Sequence, residues 1–205
     1  YALMAWLRQG EIQAQDLKIE PFSLTRLKES IPFFRTLTAC PVGFASELKV
    51  ECAKCGVAVS FVPSIRGTAV HGATRWLKPD RALICLSLRY SWSDIFWFSF
   101  FHEIGHIIKG HSKKATFIND PELPLDYINI TVEDEADEYA RETLIPAKQF
   151  SDFAAKKNFS KREVELFAGS MGVAPEIVWG RLAKDGLVTW KQISAYRKRL
   201  TFSHS

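Results

Sequence analysis

Three features are scarce in this sequence: cysteine, excess charge of one sign, and long apolar runs. Four cysteines in 205 residues form no evident disulfide framework, which argues against a small secreted protein held together by disulfides. The net charge of +4 is too small to indicate by itself a nucleic-acid partner. The longest apolar run is interrupted by His102 and Glu103, and no segment is typical of a signal peptide. We therefore expect a cytoplasmic protein without membrane contact.

The remaining composition is ordinary for a globular protein. Apolar residues make up 47% of the chain, which is enough to bury a core. A length of 205 residues suits one compact domain with an appendage. Aromatic residues reach 13%, and phenylalanines cluster between residues 96 and 101. This cluster leads into the segment that carries the clearest chemical signal.

That segment contains the pattern His-Glu-x-x-His. His102 and His106 are four residues apart, so a helix would place both imidazoles on one face, where they can bind one metal ion. Glu103 follows the first histidine, and its carboxylate can reach a water at the metal rather than the metal itself. This arrangement is typical of zinc peptidases, in which the carboxylate acts as a general base. The alternative is two buried histidines that hydrogen-bond to backbone groups.

The flanking residues favour the metal site. The helix is apolar nearly all round, so we expect it to be buried at the centre of the fold. Two histidines and a glutamate are costly in such a helix unless a partner satisfies them. Gly105 weakens a helix and indicates that another element packs closely there.

A third metal ligand is expected from outside this segment. His111 is one place too early for the pattern in which a third histidine lies on the same segment, so we expect it in a loop near the cleft. Residues 131–146 are predicted to form a helix, on which Glu133 is the best candidate ligand. Asp137, one turn further on, can accept a hydrogen bond from a ligating histidine. The other acidic residues of this helix are predicted to face solvent: Glu135, Glu138 and Glu142.

These two segments together resemble the ImmA/IrrE family of metallopeptidases. The resemblance rests on His102-Glu103-Ile104-Gly105-His106 and on the later Glu133-x-Glu135-Ala136-Asp137-x-x-Ala140-x-x-x-Leu144-Ile145-Pro146. It extends over about residues 48–187, including residues 55–63 and 72–77. The sequence is most similar to members fused behind a Cro/C1-type helix-turn-helix domain. One departure is the aspartate at position 137, where the family often has asparagine; either residue can accept the expected hydrogen bond.

The resemblance implies both a site and an activity. His102, His106 and Glu133 would bind zinc, with manganese as an alternative, and Glu103 would be the catalytic base. The family cleaves helix-turn-helix repressors, so the implied partner is such a repressor. The implied fold is zincin-like and α+β: a small antiparallel sheet packed on the central helix and on a second metal-ligand helix, with helical extensions at both ends.

The chain is predicted to divide into three regions. Residues 1–40 form an N-terminal helical region, either a linker from a missing DNA-binding domain or a simple packing helix. Residues 41–150 form the metallopeptidase domain, and residues 151–205 a C-terminal helical region. The outline of helix, glycine turn and helix in residues 160–182 is typical of a helix-turn-helix, for which DNA binding and a structural or partner-binding role both remain open. The basic tail is a second possible DNA contact.

Within the first two regions, the predicted elements follow from periodicity and from proline and glycine positions. A helix is expected from Ser23 to about Ser30, broken at Pro32, and another over residues 45–54 that ends at Gly56. Strands are expected at 57–62, 70–77 and 81–88, and one of them could be an open edge that binds an extended peptide.

Several smaller features have more than one interpretation. The polar segment 109–131 is either a lid over the cleft or a connector. Cys52 and Cys55 form a lone CxxC pair, which favours structural cysteines over a metal site. The group that would stabilise an oxyanion is not identified by the pattern. Its candidates are Tyr139, Tyr90, His71 and His111.

Two functions from different classes fit the sequence. The first is a zinc-dependent endopeptidase that cleaves a regulatory protein, a helix-turn-helix repressor, in a stress or mobile-element response. The second is a transcription regulator or antitoxin module whose metal-binding domain acts as a sensor or interaction domain without proteolysis. Glu103 favours the first, because a site that only binds a metal does not require a base at that position.

Overall fold

The computed structural model describes residues 1–40, 42–87, 89, 91–111, 117–119 and 130–200. Helices and a small sheet alternate in an α+β arrangement, which confirms the predicted fold class at this coarse level. The predicted loop 109–131 lies largely outside the described residues, as does Tyr90. The elements are α1 (Ala2–Gln15), α2 (Leu24–Leu37), α3 (Phe44–Lys54), β1 (Val57–Val62), β2 (Gly72–Lys78), β3 (Arg81–Ser87), α4 (Ser93–Ile108), β4 (Phe117–Asn119), α5 (Ile130–Leu144), α6 (Ala147–Ala155), α7 (Lys161–Met171), α8 (Pro175–Lys184) and α9 (Trp190–Ile193).

The sheet is mixed rather than antiparallel, so the predicted sheet type is wrong. Its strand order is β1-β3-β2-β4, in which β1 runs parallel to β3 and the other pairs are antiparallel. The hairpin β2–β3 turns at Pro79 and Asp80. Its second strand is buried from residue 82 to 87, whereas β2 becomes exposed towards Lys78. The more apolar strand, β3, therefore lies in the middle of the sheet. One side of β3 is paired with β2, so β1 pairs with its other side.

This topology limits where an added peptide strand could pair, because β1 and β4 are the edge strands of the described sheet. β3 lies between two strands, so it offers no edge for an added peptide. β2 is paired on its other side with β4, which covers residues Gly72 to Thr74. An extended peptide therefore cannot pair with β3, and it cannot pair with the first three residues of β2 while β4 is in place.

Both faces of the sheet are covered by helices. On one face, Trp6, Leu7 and Ala14 of α1 pack on alternate residues of β1 and β3, such as Ala58 and Leu83. This close packing is consistent with the interpretation of α1 as a packing helix. The other residues of the same strands face the main core, which is built from α2, α3, α4 and the C-terminal helices. Burial on both faces explains why the strands have continuous apolar runs.

Helix α2 is continuous, so the break predicted at Pro32 is wrong. Ser23 caps it as expected, with its hydroxyl accepting a hydrogen bond from the backbone N–H of Arg26 at 3.3 Å. Proline within a helix removes one backbone hydrogen bond. Leu27 and Phe34 are fully buried on either side of Pro32, and their burial in the core holds the helix together across it.

The C-terminal helices pack on the start of α4. Helix α8 buries most of its surface, including its early turn, which a recognition helix would need to expose for DNA. Arg197 forms a bidentate ion pair with Asp94 of α4, at 2.9–3.1 Å, and its guanidinium stacks on Trp92. These contacts favour a structural role for this part of the chain.

Among the described helices, none combines the length and the apolar character that crossing a lipid bilayer requires.

Gly10 is expected to be essential for the packing of α1 on the sheet. A Cβ added there would overlap the buried Sγ of Cys85. We expect Gly10→Ala to lower the free energy of unfolding by about 1–3 kcal/mol, as overpacking does. Urea denaturation followed by tryptophan fluorescence would measure the change.

The matched control is Gly169→Ala in the exposed part of α7, where an added Cβ meets no described atom within 4 Å. It should stabilise the protein by roughly 0.5–1 kcal/mol, because alanine favours a helix more than glycine does. Equal effects of the two substitutions would contradict the proposed close contact.

Candidate metal centre

Helix α4 holds both histidines of the motif inside the protein. His102 is 2% exposed and His106 is 1% exposed, and the helix is buried along nearly its whole length. Its first residue is Ser93 and its N-cap is Trp92. The aromatic cluster predicted from the sequence packs around the preceding turns of this helix.

Helix α5 approaches α4 at the glycine between the two histidines. A Cβ added to Gly105 would lie 3.2 Å from the Cα of Ala136 and 3.2 Å from a ring carbon of Tyr139. Ala136 and Ala140 are fully buried on the facing side of α5. Small residues on both helices therefore allow the close contact that brings Glu133, one turn before Ala136, to the histidines.

Three ligand atoms converge in this space. His102 Nε2 lies 3.0 Å from His106 Nε2 and 3.0 Å from Glu133 Oε2, and His106 Nε2 lies 3.5 Å from Glu133 Oε1. A tetrahedral zinc ion with bonds of about 2.0–2.1 Å separates its ligands by roughly 3.3 Å. The observed separations match this value. Among the described residues these three form the one group with metal-ligand geometry.

The outer nitrogen of each histidine is already engaged. His102 Nδ1 lies 2.8 Å from Asp137 Oδ1, and because the carboxylate can only accept, the imidazole donates. His106 Nδ1 lies 3.3 Å from His111 Nδ1, and His111 Nε2 lies 3.1 Å from Glu135. His111 therefore donates to Glu135 and accepts from His106. In their neutral forms both imidazoles then have an Nε2 lone pair directed at the space that they share with the Glu133 carboxylate, where a cation can bind.

The chain from His106 through His111 to Glu135 was missed by sequence reasoning. His111 was expected only near the cleft, and Glu135 was expected to face solvent. Glu135 is indeed half exposed, yet its carboxylate orients His111. No local spacing marks this contact, because Glu135 and Asp137 are two residues apart and lie on different faces of a helix. Asp137 itself is held by Arg141 at 2.9 Å.

Glu103 lies beside the ligands but is oriented by the sheet. Its side chain is fully buried, and its Oε2 accepts a hydrogen bond of 2.6 Å from the hydroxyl of Thr74 on β2. Its Oε1 has no hydrogen-bond partner within the described part of the chain. A Cβ at Gly72 would lie 2.5 Å from this oxygen, so the strand needs glycine there. A buried carboxylate oxygen without a partner is positioned to bind a water molecule.

The ionisation of these groups follows from their contacts. Burial lowers the pKa of His102, but hydrogen bonds with Asp137 and Glu133 outweigh it and raise the pKa to about 10. Burial likewise raises the pKa of Glu133, but hydrogen bonds with both histidines lower it to about 2. Burial raises the pKa of Glu103. The centre thus stabilises positive charge between the imidazoles and the carboxylate of Glu133, whether a proton or a metal ion supplies it.

The predicted oxyanion groups occupy different places. Tyr139 hydrogen-bonds to Thr143, one turn further from Glu133 along α5. His111 is engaged with His106 and Glu135, and Tyr90 lies outside the described residues. His71 immediately precedes β2 and lines a cavity together with Asp137. Of the described candidates, His71 is the one that lines this cavity.

The CxxC pair does not form part of this centre. Cys52 and Cys55 are buried free thiols at the end of α3, and the pKa of each is raised by burial. A raised pKa disfavours the thiolate that metal binding requires. The structural interpretation of these cysteines is the one that fits their surroundings.

We expect Glu133→Gln to lower zinc affinity by more than about 100-fold, since it removes the charged ligand while keeping the shape of the side chain. Competition with a chromophoric chelator would measure the affinity. Glu138→Gln, on the exposed side of the same helix, is the matched control and should bind one zinc ion per chain as the unmodified protein does. Equal affinities for the two variants would remove Glu133 from the ligand set.

The role of His111 predicts a smaller effect. His111→Ala should reduce zinc affinity by about 10–100-fold, because His106 would lose the partner that fixes its orientation. The same chelator competition would measure it, with circular dichroism to verify folding. An affinity unchanged from that of the unmodified protein would show that this hydrogen-bond chain does not support the centre.

Comparison with known proteins does not assign the chain to a family. A scan against models of known protein families found no match, and a search of curated proteins found no similar sequence. The chemistry available at the centre therefore follows from its own residues and distances.

Proposed function

We propose that this protein is a zinc-dependent endopeptidase of the ImmA/IrrE type. The observation that carries the proposal is the convergence of two imidazole nitrogens and a carboxylate beside a second, fully buried carboxylate that binds none of them. Three protein ligands with an adjacent base are the arrangement of a catalytic rather than a structural zinc site. The resemblance of the two motif segments to that family supports the same reaction.

Different residues of the centre would bind the metal and transfer the proton during peptide hydrolysis. His102, His106 and Glu133 would hold the metal, which supplies a water of lowered pKa and polarises the substrate carbonyl. Glu103 accepts the proton of the attacking water on its unpartnered Oε1 and passes it to the leaving amine. The hydrogen bond from Thr74 holds the other oxygen in place, which leaves Oε1 as the oxygen available to the water.

His71 is the proposed oxyanion stabiliser. It is partly buried and lines the same cavity as Asp137, which places it on the sheet side of the metal centre. Its imidazole can donate a hydrogen bond to negative charge that develops on the carbonyl oxygen. The proposed substrate is a cytoplasmic helix-turn-helix repressor, which the family resemblance suggests.

The second candidate function is a metal-dependent sensor or interaction module without proteolysis. The extensive packing of the C-terminal helices on α4 favours it, since these helices could transmit a change at the centre. The buried Glu103 argues against this sensor function. Burying a carboxylate is costly, and a site that only binds a metal gains nothing from one that is not a ligand.

Glu103→Gln distinguishes the two functions. We expect the variant to retain one zinc ion per chain but to cleave its substrate about 100–10,000-fold more slowly, because it lacks a proton acceptor. The measurement is incubation with regulatory proteins encoded beside its gene, with zinc or manganese added and a chelator control. Cleavage would be followed by mass spectrometry.

Glu138→Gln serves as the control for a nearby loss of charge and should cleave at the normal rate. Unchanged cleavage by Glu103→Gln would refute the assigned base. Absence of cleavage by the unmodified protein, with metal bound, would favour the sensor function.

A further inference from the structure

A cavity lies beside the metal centre, and apart from His71 its lining residues have no role in the proposed chemistry. Its volume is about 390 Å³, within the range of about 300–1,000 Å³ typical of ligand sites. It lies between α4 and α5 and is completed by α8 and α9. Such a volume holds a large side chain together with part of its neighbouring residue.

The cavity adjoins the metal centre through residues of α4 and α5. On α4, Ile95, Phe98 and His102 follow one another at helical spacing, so the cavity begins one turn before the first ligand. The ring of Phe98 lies 6.4 Å from that of His102. On α5, Asp137 contacts His102 on one side and lines the cavity on the other. A peptide bound at the metal would therefore place a neighbouring side chain at the cavity mouth.

The lining determines what kind of side chain fits. Apolar residues from four helices supply most of the wall, including Ile95, Phe98, Leu144, Ile177 and Trp190. This surface favours a large apolar side chain, which gains free energy by leaving water.

The charges at the cavity favour an acidic neighbour. The two carboxylates in the lining are already paired: Asp94 with Arg197, and Asp137 with Arg141. Arg181 is paired with Asp185 at 2.7 Å. The remaining cation is the exposed Lys184 of α8, which forms no ion pair with a carboxylate in the described parts of the chain.

We propose that this cavity is the specificity pocket of the peptidase and binds a substrate segment in which a large apolar residue adjoins an aspartate or glutamate. The apolar side chain enters between α4 and α5, and the substrate carboxylate lies against Lys184. The proposal rests on the proposed function, since it identifies which peptides that site selects. It also gives the C-terminal helices a role in substrate choice.

Labelled peptides of defined sequence test the pocket. Fluorescein-labelled decapeptides with an alanine–serine–glycine background would carry Phe-Asp, Phe-Lys or Ala-Asp at their centre. Binding to the zinc-loaded Glu103→Gln chain would be measured by fluorescence anisotropy, so that no peptide is consumed. We expect Phe-Asp to bind about tenfold or more tightly than Ala-Asp, from burial of the ring. It should bind about threefold to fivefold more tightly than Phe-Lys, as expected for an exposed ion pair.

Two charge-reversal variants of the Glu103→Gln protein test whether Lys184 causes the preference for the acidic peptide. Lys184→Glu should reverse the order of Phe-Asp and Phe-Lys. Lys191→Glu changes an equally exposed lysine of α9 that does not line the cavity, and it should leave the order unchanged. Equal binding of the three peptides, including no binding up to millimolar concentration, would overturn the proposal. So would the same response to both reversals.

Cleavage of the same peptides by the unmodified chain separates the pocket from the reaction. Preferential binding with preferential cleavage of Phe-Asp supports both. Preferential binding with no cleavage of any peptide keeps the pocket and removes the peptidase assignment. Cleavage without preference keeps the peptidase and removes the pocket.

Discussion

The geometry of the metal centre depends on the close contact between α4 and α5 at Gly105. A side chain at this position would separate the helices, because the backbone of Ala136 lies where a Cβ would need space. The contact brings Glu133 within 3.0 Å of His102 Nε2 and also places Asp137 against the outer nitrogen of that ring. Because of this glycine, α5 can supply both Glu133, a candidate metal ligand, and Asp137, which orients His102.

The sheet and the C-terminal helices complete the site from two directions. Thr74 of β2 fixes the carboxylate of Glu103, so the position of the base depends on the register between strands and not on α4 alone. On the other side, α8 packs on the first turns of α4 and supplies part of the wall of the cavity. The ion pair of Arg197 with Asp94 anchors this wall to the helix that holds the histidines. The proposed catalytic and specificity elements therefore share one buried helix.

Much of the site was predictable because its signals are local. Helical spacing alone places the two histidines on one face, and Gly105 indicates a close neighbour whatever that neighbour is. The helix of Glu133 was predictable from its own periodicity. The contact of His111 with Glu135 was not, since it depends on how two helices meet. The same reason explains the continuity of α2 through Pro32 and the parallel pairing of β1 with β3: burial in the tertiary structure outweighs the local preference.

X-ray absorption at the zinc edge of the loaded protein examines the proposed ligand set itself. The structure predicts nitrogen and oxygen neighbours at about 2.0–2.1 Å, with the outer-shell scattering of two imidazoles from His102 and His106, and no sulfur. A sulfur shell at about 2.3 Å would show that cysteine binds the metal instead. Scattering from fewer than two imidazoles would show that His102 and His106 do not both bind it. Either result would contradict the convergence of these three side chains on one ion.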